Sequence, residues 1–152
     1  MDIILHPVAT ITNKRDTPTD DFWGDTISEI VLLPHIPDEA FKGIENFSHL
    51  EIIYFFDKAD DASIVFLGRP RDNPNWPEIG IFCQRRKDRP NHIGLCTVEL
   101  LEHTGRTIKV KYLDAINGTP VLDIKPVLKE FEVMGEIKQP AWTVELMKDY
   151  WK

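Results

Sequence analysis

The sequence contains no long hydrophobic run and only two cysteines. No apolar segment approaches the roughly 20 residues that a membrane-spanning helix needs. The start of the chain lacks the basic and apolar regions of a secretory signal. Cys83 and Cys96 are too few for a disulfide framework, so both are predicted to be free thiols. These absences predict a protein of the cytoplasm, with no membrane partner.

Several motifs that mark catalytic or cofactor-binding families are also missing. The chain has no G-x-G-x-x-G and no P-loop, so the common Rossmann way of holding a nucleotide cofactor is excluded. It has no G-x-S-x-G turn for a serine nucleophile. It lacks H-E-x-x-H and C-x-x-C, and no two histidines lie three or four residues apart. We therefore predict no metal site.

The segments that remain are mostly of strand type. A chain of 152 residues, 42% of them hydrophobic, is sized for one domain spanning residues 1–152. Short apolar or alternating runs bounded by turn residues predict strands. These runs are residues 3–5, 8–11, 28–33, 51–56, 80–84, 96–102, 107–113 and 121–124. Many short strands with little helix predict a barrel or a sandwich.

Helix is predicted only in two short places. Residues 37–42 are typical of one or two helical turns. Within the C-terminal tail, residues 139–152, the segment from Thr143 to Trp151 can form a short helix with Thr143 as its cap. Val144, Met147 and Trp151 would then share one face of that helix. The aromatic residues of the tail indicate either a partner surface or a packed cap.

The charge of the chain is unevenly distributed. The net charge is −7, which argues against a general nucleic-acid coat protein. Five of the seven arginines nevertheless lie between Arg69 and Arg89. A local basic surface therefore remains possible in an acidic protein.

A basic loop and a tight turn are the two segments with the residues of a binding site. Residues 85–95 hold four cations and Asp88 before a Pro-Asn turn, and arginine suits carboxylates and phosphates. The Asn117-Gly118 pair predicts a tight turn whose backbone N–H groups can hold an anion or a ribose hydroxyl. Alone, the first would be a solvated loop and the second an ordinary hairpin turn.

Taken in order with residues 43–50, these segments resemble the TsaA-like family of tRNA methyltransferases. The family's blocks, approximately G-L-E-x-F-S-H-L, G-(V/I)-F-A-T-R-S-x-x-R-P-N-P-I-G-L and L-D-x-x-D-G-T-P-V-L-D-I-K-P-Y, correspond to residues 43–50, 80–95 and 113–127. The resemblance implies a mainly β protein, a compact β-barrel, commonly dimeric, that binds S-adenosylmethionine. It also implies N-methylation of a modified adenosine in tRNA.

The resemblance also implies roles for individual residues. Arg85 would grip the methionine carboxylate of the cofactor, and Trp23 would lie against its adenine or its sulfonium. The full set of predicted cofactor contacts is Trp23, Arg85, Leu95, Asp114, Asn117, Gly118, Thr119 and Pro120. The predicted proton acceptors are Asp88 and His92. The predicted contacts to tRNA, or to another anionic substrate, are Arg86, Lys87, Arg89 and Asn91.

The chain departs from the family's pattern at several positions, and alternatives stay open. Asp57 replaces a histidine that the family carries after the second strand, His92 replaces a proline of the second block, and Asn117 replaces an aspartate of the third. One alternative is a module that binds S-adenosylmethionine without turnover. A second is a methyltransferase of a small metabolite, and a third is a structural or interaction domain.

Overall fold

Six antiparallel strands close on themselves to form a barrel. The computed structural model describes residues 1–152. The chain has eight strands in all, and β4 and β5 lie outside the barrel. The strands are β1 Ala9–Thr12, β2 Ile27–Leu32, β3 His49–Phe55, β4 Leu67–Gly68, β5 Ile79–Gly80, β6 Ile93–Thr104, β7 Thr107–Lys111 and β8 Pro120–Pro126. The barrel order is β1-β2-β7-β6-β3-β8, and β8 closes it by pairing with β1. This confirms a mainly β chain and selects the barrel over the sandwich.

Alternation along the strands explains why the barrel forms. In β2, β3 and β6, alternate side chains point into the barrel and are buried, as expected for strands with one buried face. The core consists of Ala9, Ile11, Ile30, Leu32, Phe41, Leu50, Ile52, Tyr54, Cys96, Val98, Ile108, Val110, Leu113, Ala115 and Val121. Each large aliphatic side chain buried there contributes roughly 1.5–3 kcal/mol.

The neighbouring strands β3 and β6 pair through one unusually close contact. Tyr54 lies directly opposite Gly94 in the register. A Cβ atom at Gly94 would lie 2.3 Å from the Tyr54 ring, closer than packed atoms can approach. A glycine is required there because the Tyr54 ring occupies the space of the missing side chain.

Long connections between the strands carry short 3-10 turns and a small second ribbon, in which β4 pairs with β5. The 3-10 turns are Asp38–Phe41, Ile44–Asn46, Asp61–Ser63, Pro70–Asp72, Ile81–Cys83, Pro90–His92 and Lys129–Phe131. The longest helix, α1 (Ala141–Leu146), has six residues, so no helix could cross a membrane. Cys83 and Cys96 are free, as predicted.

Two predicted strands are wrong or incomplete. Residues 3–5 form no strand, and their aliphatic side chains are exposed. Of residues 80–84, only Gly80 belongs to a strand, as the last residue of β5, and Ile81–Cys83 form a 3-10 turn. Both segments are apolar, which favoured strands in the prediction, but neither has a neighbouring strand of the barrel with which to pair.

The C-terminal helix exists, but its start and its packing face differ from the prediction. It begins after Pro140, and the Thr143 hydroxyl donates to the Pro140 carbonyl instead of capping the helix. Val144 is 65% exposed. The helix packs through Trp142, whose ring centroid lies 6.1 Å from that of Trp76. The tail is thus a packed cap, one of the two predicted possibilities.

We expect Gly94→Ala to lower the free energy of unfolding by about 1–3 kcal/mol, because the added methyl group displaces the buried Tyr54 ring. Urea unfolding followed by fluorescence measures this change. Gly80→Ala is the matched control, since a Cβ atom there meets its nearest neighbour at an ordinary 3.9 Å. Equal stability of the two variants would contradict the close contact.

Candidate functional site

A carboxylate held by two tyrosines lies where β3, β6 and the tail meet. Asp114 Oδ1 accepts a hydrogen bond of 2.7 Å from the Tyr54 hydroxyl, and Asp114 Oδ2 accepts one of 2.6 Å from the Tyr150 hydroxyl. We call Tyr54, Arg85, Cys96, Asp114 and Tyr150 the Asp114 cluster. Tyr54 comes from the barrel wall and Tyr150 from the tail, so the cluster joins distant parts of the chain.

The protonation states within the Asp114 cluster follow from burial and from one negative charge. The pKa of Tyr54 and the pKa of Tyr150 are both raised above the ordinary tyrosine value. Burial is the largest cause, and the negative charge of the Asp114 carboxylate is the next. Burial and the same carboxylate raise the pKa of the Cys96 thiol. The two tyrosines therefore stay protonated at neutral pH and act as donors to Asp114.

Arg85 brings a positive charge to the same cluster. Its Nη2 atom donates to the Leu95 carbonyl at 2.6 Å. No other hydrogen bond or ion pair of the Arg85 guanidinium occurs within the chain. Leu95 itself is 43% exposed. The site thus offers a guanidinium with donors to spare beside an accessible apolar side chain, a combination that can bind a carboxylate next to an apolar group.

The Asn117-Gly118 turn forms, but its amides are not free to bind a ligand. The N–H groups of Asn117, Gly118 and Thr119 donate to the carbonyls of Arg15, Ile11 and Ile116, at 2.7, 2.8 and 3.2 Å. The expectation that these N–H groups hold an anion or a ribose hydroxyl is therefore wrong. The turn instead fastens the segment before β8 to the segment after β1.

Trp23 lies near this turn in a buried position. Only 3% of its surface is exposed, and the Arg15 guanidinium lies 3.9 Å from the centroid of its ring. One face of the ring thus already contacts a cation. The backbone N–H of Trp23 donates to the Tyr150 carbonyl at 2.8 Å. Trp23 therefore connects the Asn117 turn to the tail and offers no open face for adenine.

Asp88 and His92, the predicted proton acceptors, have different surroundings. Lys87 Nζ lies 2.7 Å from Asp88 Oδ1, and Arg86 Nη2 lies 3.7 Å from Asp88 Oδ2. Burial raises the pKa of Asp88, but the hydrogen bond and charge of Lys87 and the charge of Arg86 outweigh it, and the net pKa is lowered. Asp88 is therefore a weak proton acceptor.

His92 keeps a ring nitrogen without a hydrogen bond. Its Nε2 atom is buried and lies 3.2 Å from Asp61 Oδ1, without the geometry of a hydrogen bond. The His92 ring centroid lies 5.9 Å from that of Phe55. The backbone of Asn91 and His92 has positive φ, which turns the chain sharply into β6. Of the two predicted proton acceptors, His92 is the one with an unpaired atom, but that nitrogen is buried.

The arginine-rich region is not a row of unpaired charges. Arg69 binds the Trp76 carbonyl, Arg89 binds the Gln84 carbonyl, and Arg71 forms an ion pair of 2.9 Å with Asp21. These guanidinium groups cross-link the loops. Of the predicted substrate contacts, Asn91 is exposed, and Arg86, Lys87 and Arg89 are partly so.

Tyr54, Cys96 and Tyr150 are members of the cluster that the sequence did not reveal as site residues. Tyr54 looks like any apolar residue of a strand, and Cys96 like a small core residue. Tyr150 lies outside the three sequence blocks. The structure brings no three histidine, cysteine or acidic side chains together in a way that could hold a metal ion.

Residues 8–133 match the family described as the tRNA-methyltransferase O N-terminal domain. The chain belongs to this family. Three pieces of the family's sequence pattern thus lie on one barrel, as the resemblance implied. The tail that supplies Tyr150 to the Asp114 cluster lies beyond the matched residues.

Relatives of this family member differ in length. An "S-adenosyl-L-methionine-binding protein" of Archaeoglobus fulgidus is 34% identical over 142 residues, which cover 90% of this chain and 97% of the relative. A "tRNA (adenine(37)-N6)-methyltransferase" of Escherichia coli is 37% identical over 102 residues, which cover 64% of this chain and 43% of the relative. The chain thus matches less than half of that methyltransferase. A solved structure of TrmO from Pseudomonas aeruginosa superposes with a TM-score of 0.75 at 23% identity, covering 93% of this chain and 62% of that one, and supports the barrel fold.

We expect Asp88→Asn to lower the free energy of unfolding at pH 7 by about 1–2 kcal/mol, because the substitution removes the carboxylate that pairs with Lys87. The loss is modest because the Lys87 side chain is 40% exposed and solvent partly screens the pair. The pKa of Asp88 lies below the ordinary 3.8 in the folded protein, so folding favours the ionised form. The difference between wild type and variant is then complete above 3.8 and disappears as the pH falls through the folded pKa. Urea unfolding between pH 7 and pH 3 measures it. A difference that persists unchanged at pH 3 would refute the ion pair.

Proposed function

We propose that this protein transfers the methyl group of S-adenosylmethionine to the exocyclic nitrogen of an adenosine in tRNA. The observation that carries the proposal is the Asp114 cluster on a barrel of this family, with one free guanidinium and one oriented carboxylate at the same end. Relatives named for S-adenosylmethionine binding and for tRNA adenine methylation support both halves of the proposal. A tRNA substrate implies a cytoplasmic location.

The chemical groups of the site suit S-adenosylmethionine. The unpaired donors of Arg85 match the cofactor's carboxylate, and the Asp114 carboxylate can accept from its amino group or its hydroxyls. The exposed Leu95 side chain offers an apolar surface beside them. Leu95, Asp114 and the segment from Asn117 to Pro120 remain proposed contacts, through side chains and carbonyls instead of the turn's amides.

When bound, S-adenosylmethionine supplies a methyl group on a positively charged sulfur, open to in-line displacement by a nucleophile. The task of the chain is to hold donor and acceptor at reacting distance, which can supply several kcal/mol of the barrier. His92 Nε2 is the proposed acceptor of the proton that the attacking nitrogen loses, because this buried atom makes no hydrogen bond within the chain, whereas Asp88 is paired with Lys87. His92 precedes Leu95 by three residues, roughly 10 Å along an extended chain.

The proposed contacts to tRNA are Arg86, Lys87, Arg89 and Asn91. The two positive charges of Arg86 and Lys87 exceed the single negative charge of Asp88, so the loop keeps a net positive charge that can bind phosphates.

A second function is favoured by one specific observation. A relative that matches this chain over nearly its whole length is named only as a binding protein for S-adenosylmethionine. The alternative function is therefore binding without turnover.

We expect the wild-type protein to bind S-adenosylmethionine in calorimetry and not to bind ATP. Arg85→Ala should weaken this binding about 10- to 100-fold, because a charged hydrogen bond contributes about 1.5–3 kcal/mol. Lys109→Ala is the control, since Lys109 pairs with Glu102 on the β6–β7 hairpin. The same proteins are then incubated with tRNA and methyl-labelled S-adenosylmethionine, and the digested nucleosides are examined by mass spectrometry.

The outcomes of this experiment separate the two functions. A labelled N-methyladenosine made by wild type and Lys109→Ala, and reduced in Arg85→Ala, supports the methyltransferase. Binding without label in tRNA or in any small acceptor supports the binding module. No binding of S-adenosylmethionine at millimolar concentration excludes both.

We also propose that the protein forms a homodimer. The support is apolar surface that one chain leaves exposed, including Phe82 at 78%, Phe131 at 85% and Met134 at 88%. Sedimentation velocity should report about twice the 17.6 kDa of one chain. Phe131→Glu should shift the protein toward the monomer, whereas a monomeric wild type at high concentration would rule out the dimer.

A further inference from the structure

The C-terminal residues 141–152 are attached to the barrel by their backbone. The N–H of Phe22 donates to the Asp149 carbonyl at 3.0 Å, and the N–H of Trp23 donates to the Tyr150 carbonyl at 2.8 Å. Two consecutive backbone pairs define a register between the segment and the loop before β2. Tyr150 is therefore held at a fixed position along this loop.

Side chains and one close approach reinforce this attachment. Trp76 Nε1 donates to Glu145 Oε2 at 2.9 Å, and the Trp142 ring lies beside the same tryptophan. A Cβ atom at Gly24 would lie 1.9 Å from the Trp151 carbonyl oxygen. The absence of a side chain at Gly24 thus allows the end of the chain to lie directly on the loop.

The one side chain of this segment that reaches the Asp114 cluster is Tyr150. Its hydroxyl donates a hydrogen bond to Asp114 Oδ2, and the Tyr54 hydroxyl donates one to Oδ1. With both oxygens bound, the carboxylate plane cannot rotate, and each oxygen keeps a lone pair for a further donor. Neither tyrosine alone fixes both oxygens. The orientation of Asp114 toward a ligand thus depends on the tail.

We propose that Tyr150 is a positioning residue of the cofactor site: its hydroxyl orients the Asp114 carboxylate to receive a polar hydrogen of S-adenosylmethionine. This role rests on the proposed function. It makes residues 141–152 a wall of the site. It also explains why the aromatic end of the chain is fastened so closely to the loop of Trp23 and Gly24.

We expect Tyr150→Phe to weaken the binding of S-adenosylmethionine about tenfold, because it removes one hydrogen bond to a charged group while keeping the ring. Calorimetry measures the dissociation constant. The melting temperature of the ligand-free variant should stay near that of the wild type. In turnover, the KM for S-adenosylmethionine should rise while kcat changes little, a split that a general loss of stability would not produce.

Tyr112→Phe is the matched control. Tyr112 lies beside Trp151, with ring centroids 5.8 Å apart, and its hydroxyl makes no hydrogen bond within the chain. The same chemical change next to the cluster should therefore leave the dissociation constant unaltered. Gly24→Ala is the second variant, because it displaces the segment without touching the cluster. Combined with Tyr150→Phe, it should add little further loss, since both remove the same hydrogen bond.

Each outcome decides a different point. An unchanged or tighter affinity in Tyr150→Phe overturns the positioning role, and a tighter one would mean that the segment competes with the cofactor. An equal loss in Tyr112→Phe also overturns it. A wild type that fails to bind S-adenosylmethionine refutes the proposed function, and with it the role of Tyr150. Binding by the wild type with an unaffected Tyr150→Phe variant refutes only the role.

Discussion

The hydrogen bonds from two tyrosine hydroxyls to the Asp114 carboxylate connect the parts of this structure. Tyr54 belongs to the wall of the barrel, and Gly94 on the neighbouring strand leaves room for its ring. Tyr150 belongs to the tail, which is paired with the loop that carries Trp23. A half-buried carboxylate without these donors would carry a large desolvation cost. The two hydrogen bonds to Asp114 therefore link the strand pair β3–β6, the segment before β8 and the tail.

Charge in this protein serves mainly to hold loops together. The arginines between Arg69 and Arg89 bind backbone carbonyls or nearby carboxylates, so the long connections are cross-linked although they contain little regular structure. Arginine suits this role because its planar group can donate to several acceptors at once. Arg85 is used least in this way, since one contact to the Leu95 carbonyl leaves most of its donors available. This difference makes Arg85 the cation that we propose to bind the ligand.

Sequence patterns predicted the class of fold well and the packing of individual residues less well. Alternation located the strands of the barrel because period-two burial is a local property, and Gly105 marked the hairpin between β6 and β7. The same reasoning failed at residues 3–5, where apolar residues have no neighbouring strand. It also failed for the donors of the Asn117 turn, because turn residues do not reveal that Ile11 and Arg15, in and just after the neighbouring strand β1, supply carbonyl partners. The ring of Trp23 was expected to be open, but Arg15 covers it.

The sequence by itself determined the mainly β class and the family, because these depend on local periodicity and on ordered motifs, and it predicted Arg85, Leu95 and Asp114 as cofactor contacts. Only the tertiary structure decided that Tyr54 and Tyr150 meet on one carboxylate, that Asp88 is neutralised by Lys87, and that His92 keeps a free nitrogen. Tyr54 and Tyr150 are 96 residues apart in the chain, so no local pattern can report their proximity. Closure of the barrel and the backbone pairing of the tail bring them together.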